Sequence, residues 1–134
     1  MKLRLALLAT LVALTPSLAA ATPDPLEGRW RKKSMEIEIR PCGEALCGVV
    51  TDASESQQSK AWKGSRTKLM GARILTNIRP GDAPGTYRGR LFAPDRDIRV
   101  SGEITMVSPD RLSVRGCALL GIVCREREWI RTSR

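Results

Sequence analysis

The chain has no histidine. Ser–His and Cys–His nucleophilic catalysis and imidazole metal sites are therefore excluded, since each needs a ring nitrogen that accepts a proton or a metal. Aromatic residues are also scarce, with one tyrosine, one phenylalanine and three tryptophans among 134 residues. Long apolar runs are lacking as well. The run Leu5–Leu14 is about half the ~20 residues that a membrane-spanning helix needs. It follows Lys2 and Arg4 and precedes Pro16 and a cluster of small residues, which is the pattern of a secretory signal peptide rather than an anchor. Cleavage is expected after Ala21, with Ala19 as the other candidate. Residues 1–21 are then a signal peptide and residues 22–134 one domain, periplasmic or secreted, with no transmembrane segment of its own. No cysteine stands near the cleavage point to carry a lipid anchor.

Acids are outnumbered, 14 against 23 Lys and Arg, for a formal charge of +9. A surface so rich in arginine favours anionic partners. Outside the cytoplasm these are lipid headgroups, lipopolysaccharide phosphate, cell-wall polymers or acidic proteins, and nucleic acid is the poorest match. The arginines serve equally well as the solvated faces of strands.

Four cysteines in an exported chain read as two disulfides. The local pairing, Cys42 with Cys47 and Cys117 with Cys124, sets each bridge across the neck of its own hairpin. The rival is a four-cysteine zinc site, which typically spaces paired ligands by about two to four residues, a range that Cys42 and Cys47 reach only at its upper limit and Cys117 and Cys124 exceed. No metal and no cofactor is expected.

The stretch Arg111–Arg131 organises the rest. Leu112 and Val114 alternate with Arg111, Ser113 and Arg115, a short apolar loop follows, and then Arg125, Arg127, Trp129 and Arg131 share a face opposite Glu126, Glu128 and Ile130. This is a hairpin with a covalent clasp. Earlier, Met35, Ile37 and Ile39 alternate with Glu36, Glu38 and Arg40 as in a half-buried strand that Pro41 ends, and Gly48–Thr51 returns from the turn. Thr22–Glu27 reads as an extended leader. Asp52–Gly64, rich in Ser, Gln and Lys and without an apolar period, reads as a mobile loop whose one anchor, Trp62, lies over the mouth of the core. An apolar segment within Lys68–Arg79 and strands over Thr86–Phe92 and Ile98–Val107 complete the set, Gly102 marking a bend. About eight short strands and no amphipathic helix imply an all-β antiparallel up-and-down barrel, closed because closure removes the edges. Its expected interior is Trp30, Met35, Ile37, Ile39, Val49, Tyr87, Leu91, Ile98, Val100, Ile104, Met106, Leu112, Val114 and Trp129.

Gly28-x-Trp30 at the start, with Trp129-x-Arg131 at the end, resembles the lipocalin and calycin pattern, in which a first-strand Trp packs under an Arg from the end of the barrel. Together with Pro41-Cys42-Gly43, Leu46-Cys47-Gly48, Ile74-Leu75, Pro94 and Val114-Arg115-Gly116-Cys117, the set resembles the bacterial exported family known as domain of unknown function 2147. The resemblance implies a small calycin-like barrel closed by Gly28, Trp30, Trp129 and Arg131, with Arg131, or failing that Arg127, over the Trp30 ring. It implies no activity. The chain departs from the family's usual form at Asp97, where Gly is more typical, and in its aromatic-poor middle.

The remaining acid pairs have ordinary explanations. Asp95 and Asp97 flank Arg96 in a turn, where Asp commonly bonds backbone. Glu36 with Glu38 and Glu126 with Glu128 lie at strand spacing beside arginines. The expectation is a non-catalytic barrel that binds a small apolar or amphipathic ligand, an eight-strand interior being just large enough for side chains or one such molecule. Candidate lining residues are Ile37, Ile39, Tyr87, Ile104, Met106 and Val114. The alternative is a basic, envelope-associated interaction module binding anionic lipid, cell-wall polymer or protein through Arg88, Arg90, Arg99, Arg111 and Arg115 on its outer strands.

Overall fold

The computed structural model describes residues 11–16 and 22–134. Most of the expected signal peptide and its cleavage point lie outside the described residues. Eight strands close into one antiparallel barrel in chain order: β1 (Gly28–Lys32), β2 (Met35–Cys42), β3 (Ala45–Asp52), β4 (Arg73–Pro80), β5 (Thr86–Ala93), β6 (Ile98–Ser108), β7 (Arg111–Ala118) and β8 (Val123–Ser133). β2 continues through Pro41 to Cys42 rather than ending at the proline. The seam is the pairing of β1 with β8, where Trp30 stands opposite Arg131. Both expected disulfides are present: Cys117 and Cys124 are direct cross-strand partners, whereas Cys42 reaches Cys47 obliquely, being itself opposite Ala45.

The Arg131 guanidinium lies 4.1 Å from the Trp30 ring centre, so Arg127 is not needed there. Its Nε donates to the Pro109 carbonyl (2.8 Å), Nη1 to that of Glu27 (2.8 Å) and Nη2 to that of Pro25 (2.7 Å). One side chain thus ties the β6–β7 turn and the leader to the first strand. Gly28 is needed beside it, because a Cβ there would come within 2.6 Å of Arg131 Nη1 and of the Ser133 carbonyl.

The leader is not extended. Asp24 to Glu27 form a turn, with the Glu27 amide donating to the Asp24 carbonyl and the Leu26 amide to the Asp24 carboxylate. This drives Leu26, fully buried, into the end of the barrel, where its carbonyl accepts from Trp30 Nε1 at 3.0 Å. The Tyr87 hydroxyl donates to Asp24 (2.8 Å), and burial, then that bond, pushes its pKa up to about 12. This end of the barrel is sealed.

Residues 52–64 are not a mobile loop either. Helix α1 (Glu55–Ser65) occupies them, opened by a reciprocal capping box in which Ser54 Oγ accepts from the Gln57 amide and Gln57 Oε1 from the Ser54 amide. Ala61 is its one buried residue, so periodicity had nothing to register. The readable signal was Ser-x-x-Gln at the start. Gly64 packs on the Pro94–Asp95 backbone, which leaves no room for a Cβ and fixes the helix at the end opposite Leu26. Trp62 is not the anchor; it is about half exposed, with Arg66 over its ring.

Trp30→Ala should cost about 3–5 kcal/mol in urea unfolding, from the lost packing and the cavity. Arg131→Ala should cost less alone, and less again in the Trp30→Ala background, because the shared contact has gone; additive losses would show no coupling. Ser54→Ala should cost about 0.5–2 kcal/mol through the lost cap, with a matching rise in amide exchange confined to α1.

Candidate functional site

Register assigns each side chain to the lumen or the outside. Trp30 pairs with Ile37 and Ile37 with Val50, so Val50 points inward and Val49, opposite Glu38, does not. Ile104 pairs with Val114 and Tyr87, and Leu112 with Trp129. Of the proposed lining residues, Ile37, Ile39, Tyr87, Ile104 and Val114 are buried in one continuous core, and Met106 is partly buried against it. The core also takes in Leu26, Val50, Ala53, Ala61, Leu69, Ile74, Leu75 and Ile78, which the expected interior omitted. Ile98, expected inside, is 41% exposed at the end that carries α1.

These side chains fill the lumen. Leu91 lies across two glycines, where a Cβ on Gly102 would fall 2.5 Å from Leu91 Cγ and one on Gly116 2.7 Å from its Cδ1. Gly102 is therefore the room that Leu91 occupies. The eight-strand barrel is of the size that side chains can fill unaided, and among the described residues no buried side-chain nitrogen or oxygen lacks a partner.

The end that carries α1 differs in charge, and its rim is called the mouth. Arg127 is opposite Val114 and Arg125 opposite Gly116, so both are on the lumen face yet exposed. Lys32 also shares the lumen face, its Nζ 5.9 Å from the centre of the Trp129 ring. Burial lowers the Lys32 pKa, and the charges of Arg127 and Lys33 lower it further, against the weaker pull of Asp95. Among the described residues none of Lys32, Arg125 and Arg127 forms a salt bridge. Ile98 and Val100, opposite Ala93 and Leu91, provide the apolar side of this mouth.

The outer arginines are mostly engaged. Arg88 pairs with Asp82 and Arg111 with Glu128, Arg90 bonds Ser101, and Arg99 pairs with Asp97 while stacking on Phe92 at 4.0 Å. Arg115 stands opposite Glu126, whose carboxylate accepts from Ser113 rather than from an arginine. Asp95 pairs weakly with Arg96, and Asp97 has φ of 53°, the left-handed region in which Gly is easier. Glu36 is the one buried acid: Thr51, Thr132 and Arg31 donate to it at 3.1, 3.1 and 3.2 Å. Burial pushes its pKa up, but those hydrogen bonds outweigh it and hold the carboxyl below the ordinary value.

Two surface hollows lie away from the mouth. One of about 630 Å³ surrounds the sealed end and mixes Arg29, Arg40 and Arg134 with Asp24, Glu27 and Glu38. The other, about 420 Å³, lies on the outer face between Glu103, Arg115 and Glu126. Each carries both signs of charge and selects no ligand class.

Order, closure and the Trp–Arg seam define a lipocalin-like barrel. Protein HP1028 from Helicobacter pylori, described as belonging to the lipocalin family, has the same fold, with a TM-score of 0.60 at 15% identity over 81% of this chain and 83% of that one. The chain belongs to the family of uncharacterized proteins conserved in bacteria designated DUF2147, whose model matches residues 28–131. No curated protein matches it.

The Glu36 network predicts a pH dependence. A carboxyl whose pKa is depressed by folding stabilises fully above its unfolded pKa and loses that contribution as pH falls through its folded pKa. Urea midpoints should therefore drop as pH is lowered below the ordinary glutamate range, and Glu36→Gln should be less stable at neutral pH with a flatter acid limb. An unchanged limb would exclude Glu36 as its source.

Proposed function

We propose that this is an exported, non-catalytic barrel that binds one anionic amphiphile at the rim of its α1 end, the mouth. The observation that carries this reading is a trio of lumen-facing cations, Lys32, Arg125 and Arg127, without ion-pair partners beside Trp129. Like charges brought together gain from an anion placed between them, and the Lys32 pKa is lowered first by burial and then by the charges of Arg127 and Lys33. The headgroup would sit between Lys32 and Arg127, and the apolar part against Trp129, Val100 and Ile98. The filled core confines the ligand to the mouth. Export rests on the Lys2-to-Ala21 pattern, and the non-catalytic reading on the missing histidine and the structural partners of the carboxylates.

Dodecanoate is a suitable probe. Native mass spectrometry and tryptophan quenching should show one molecule bound, and dodecanol should bind more weakly. Lys32→Gln with Arg127→Gln should weaken dodecanoate by about tenfold, the value of a charged hydrogen bond or two, without changing the urea midpoint substantially. Binding that ignores both substitutions, or no binding, overturns the reading.

A further inference from the structure

The β7–β8 hairpin ends in an apolar loop that the barrel does not use. Leu119, Leu120 and Ile122 are 71%, 104% and 82% exposed, and Val123 is 43% exposed. None belongs to the core. Leu119 and Leu120 both adopt left-handed backbone, with φ of 52° and 56°, followed by Gly121 at 86°. Branched side chains are costly there and are usually replaced by Gly, Asn or Asp. The disulfide Cys117–Cys124 fastens the base of the loop, so it is presented as a preformed, convex tip.

Charge decides what the tip fits. No acid occurs between Asp110 and Glu126, while Arg115 and Arg125 lie on its two arms nearer the tip. Lys33 stands at the same end of the barrel, as does α1 with its half-exposed Trp62 beside Lys63 and Arg66, while Asp95 and Asp97 there are paired with Arg96 and Arg99. A convex apolar point backed by cations and an aromatic side chain matches the boundary of a bilayer, with phosphates above and acyl chains beneath. We infer that the Leu119–Val123 tip inserts shallowly into an anionic lipid surface and docks the barrel with its α1 end toward the membrane. This surface is distinct from the mouth and does not require the ligand proposed there.

The test uses the disulfide-intact protein in flotation with vesicles of phosphatidylethanolamine and phosphatidylglycerol, and with phosphatidylcholine vesicles as the uncharged control. Binding should favour the anionic vesicles and weaken with salt. The double variant Leu119→Asn, Leu120→Asn suits the left-handed backbone and should fold with its disulfide intact, yet lose at least about tenfold in partitioning, as removal of two inserted side chains implies. Leu120→Trp should blue-shift its emission on the anionic vesicles and be quenched by brominated lipid. Adding Lys32→Gln and Arg127→Gln should weaken dodecanoate binding while keeping the Leu120→Trp blue shift, which separates the two proposals. Undiminished flotation of the Asn variant, or an emission from the Leu120→Trp variant that does not shift, overturns the inference. So does a concentration-dependent dimer that the Asn variant abolishes, since the tip would then cover a second copy.

Discussion

The barrel depends on one stacked pair at its seam. A closed sheet has no free edge, but closure requires the first and last strands to meet at a fixed register, and they lie a whole domain apart in sequence. Arg131 on Trp30 fixes that meeting. The ring offers the guanidinium a flat, electron-rich face, and the planar fork sends its donors outward to the carbonyls of Pro25, Glu27 and Pro109. Lysine could reproduce the charge but not the stacked fork. Leu26 enters the barrel because these bonds hold its neighbours, and Tyr87 then reaches Asp24 across the same end.

Sealing one end and filling the middle leave the chain little freedom about where recognition could occur. Few aromatics are available to fill the lumen, so aliphatic side chains do it, and glycines on β6 and β7 let Leu91 cross between strands. Apart from Val107 and Ile130, the exposed large apolar side chains of the barrel and its helix then lie at the other end. There the mouth cations, the half-exposed Ile98 and the hairpin tip stand together, and the turn at Pro94–Asp95 supports α1. Stability is concentrated at one pole and unsatisfied chemistry at the other.

The candidate site was only partly legible. The face shared by Arg125, Arg127, Trp129 and Arg131 could be read from alternation, but those four residues have separate duties. Arg131 closes one end, Trp129 is core, and Arg125 and Arg127 rim the other end. A period of two says which side a residue takes and nothing about its height along the barrel. Likewise α1 escaped notice because a helix held by one alanine and a capping box has no apolar stripe, and the leader escaped because one leucine among prolines and acids gives no pattern.

Alternation, turn residues and paired cysteines by themselves determined about eight antiparallel strands and two local disulfides, because period-two burial and short hairpins are local properties of the chain, while the meeting of Trp30 with Arg131 was implied by the family resemblance. Only the tertiary structure decided that Val50 rather than Val49 faces the core, that Leu26 stops one end, that the lumen is full and that Lys32 lies over Trp129. The reason is that bulges shift register within strands such as β3 and β4, and closure brings together residues whose distance along the barrel axis no local pattern records.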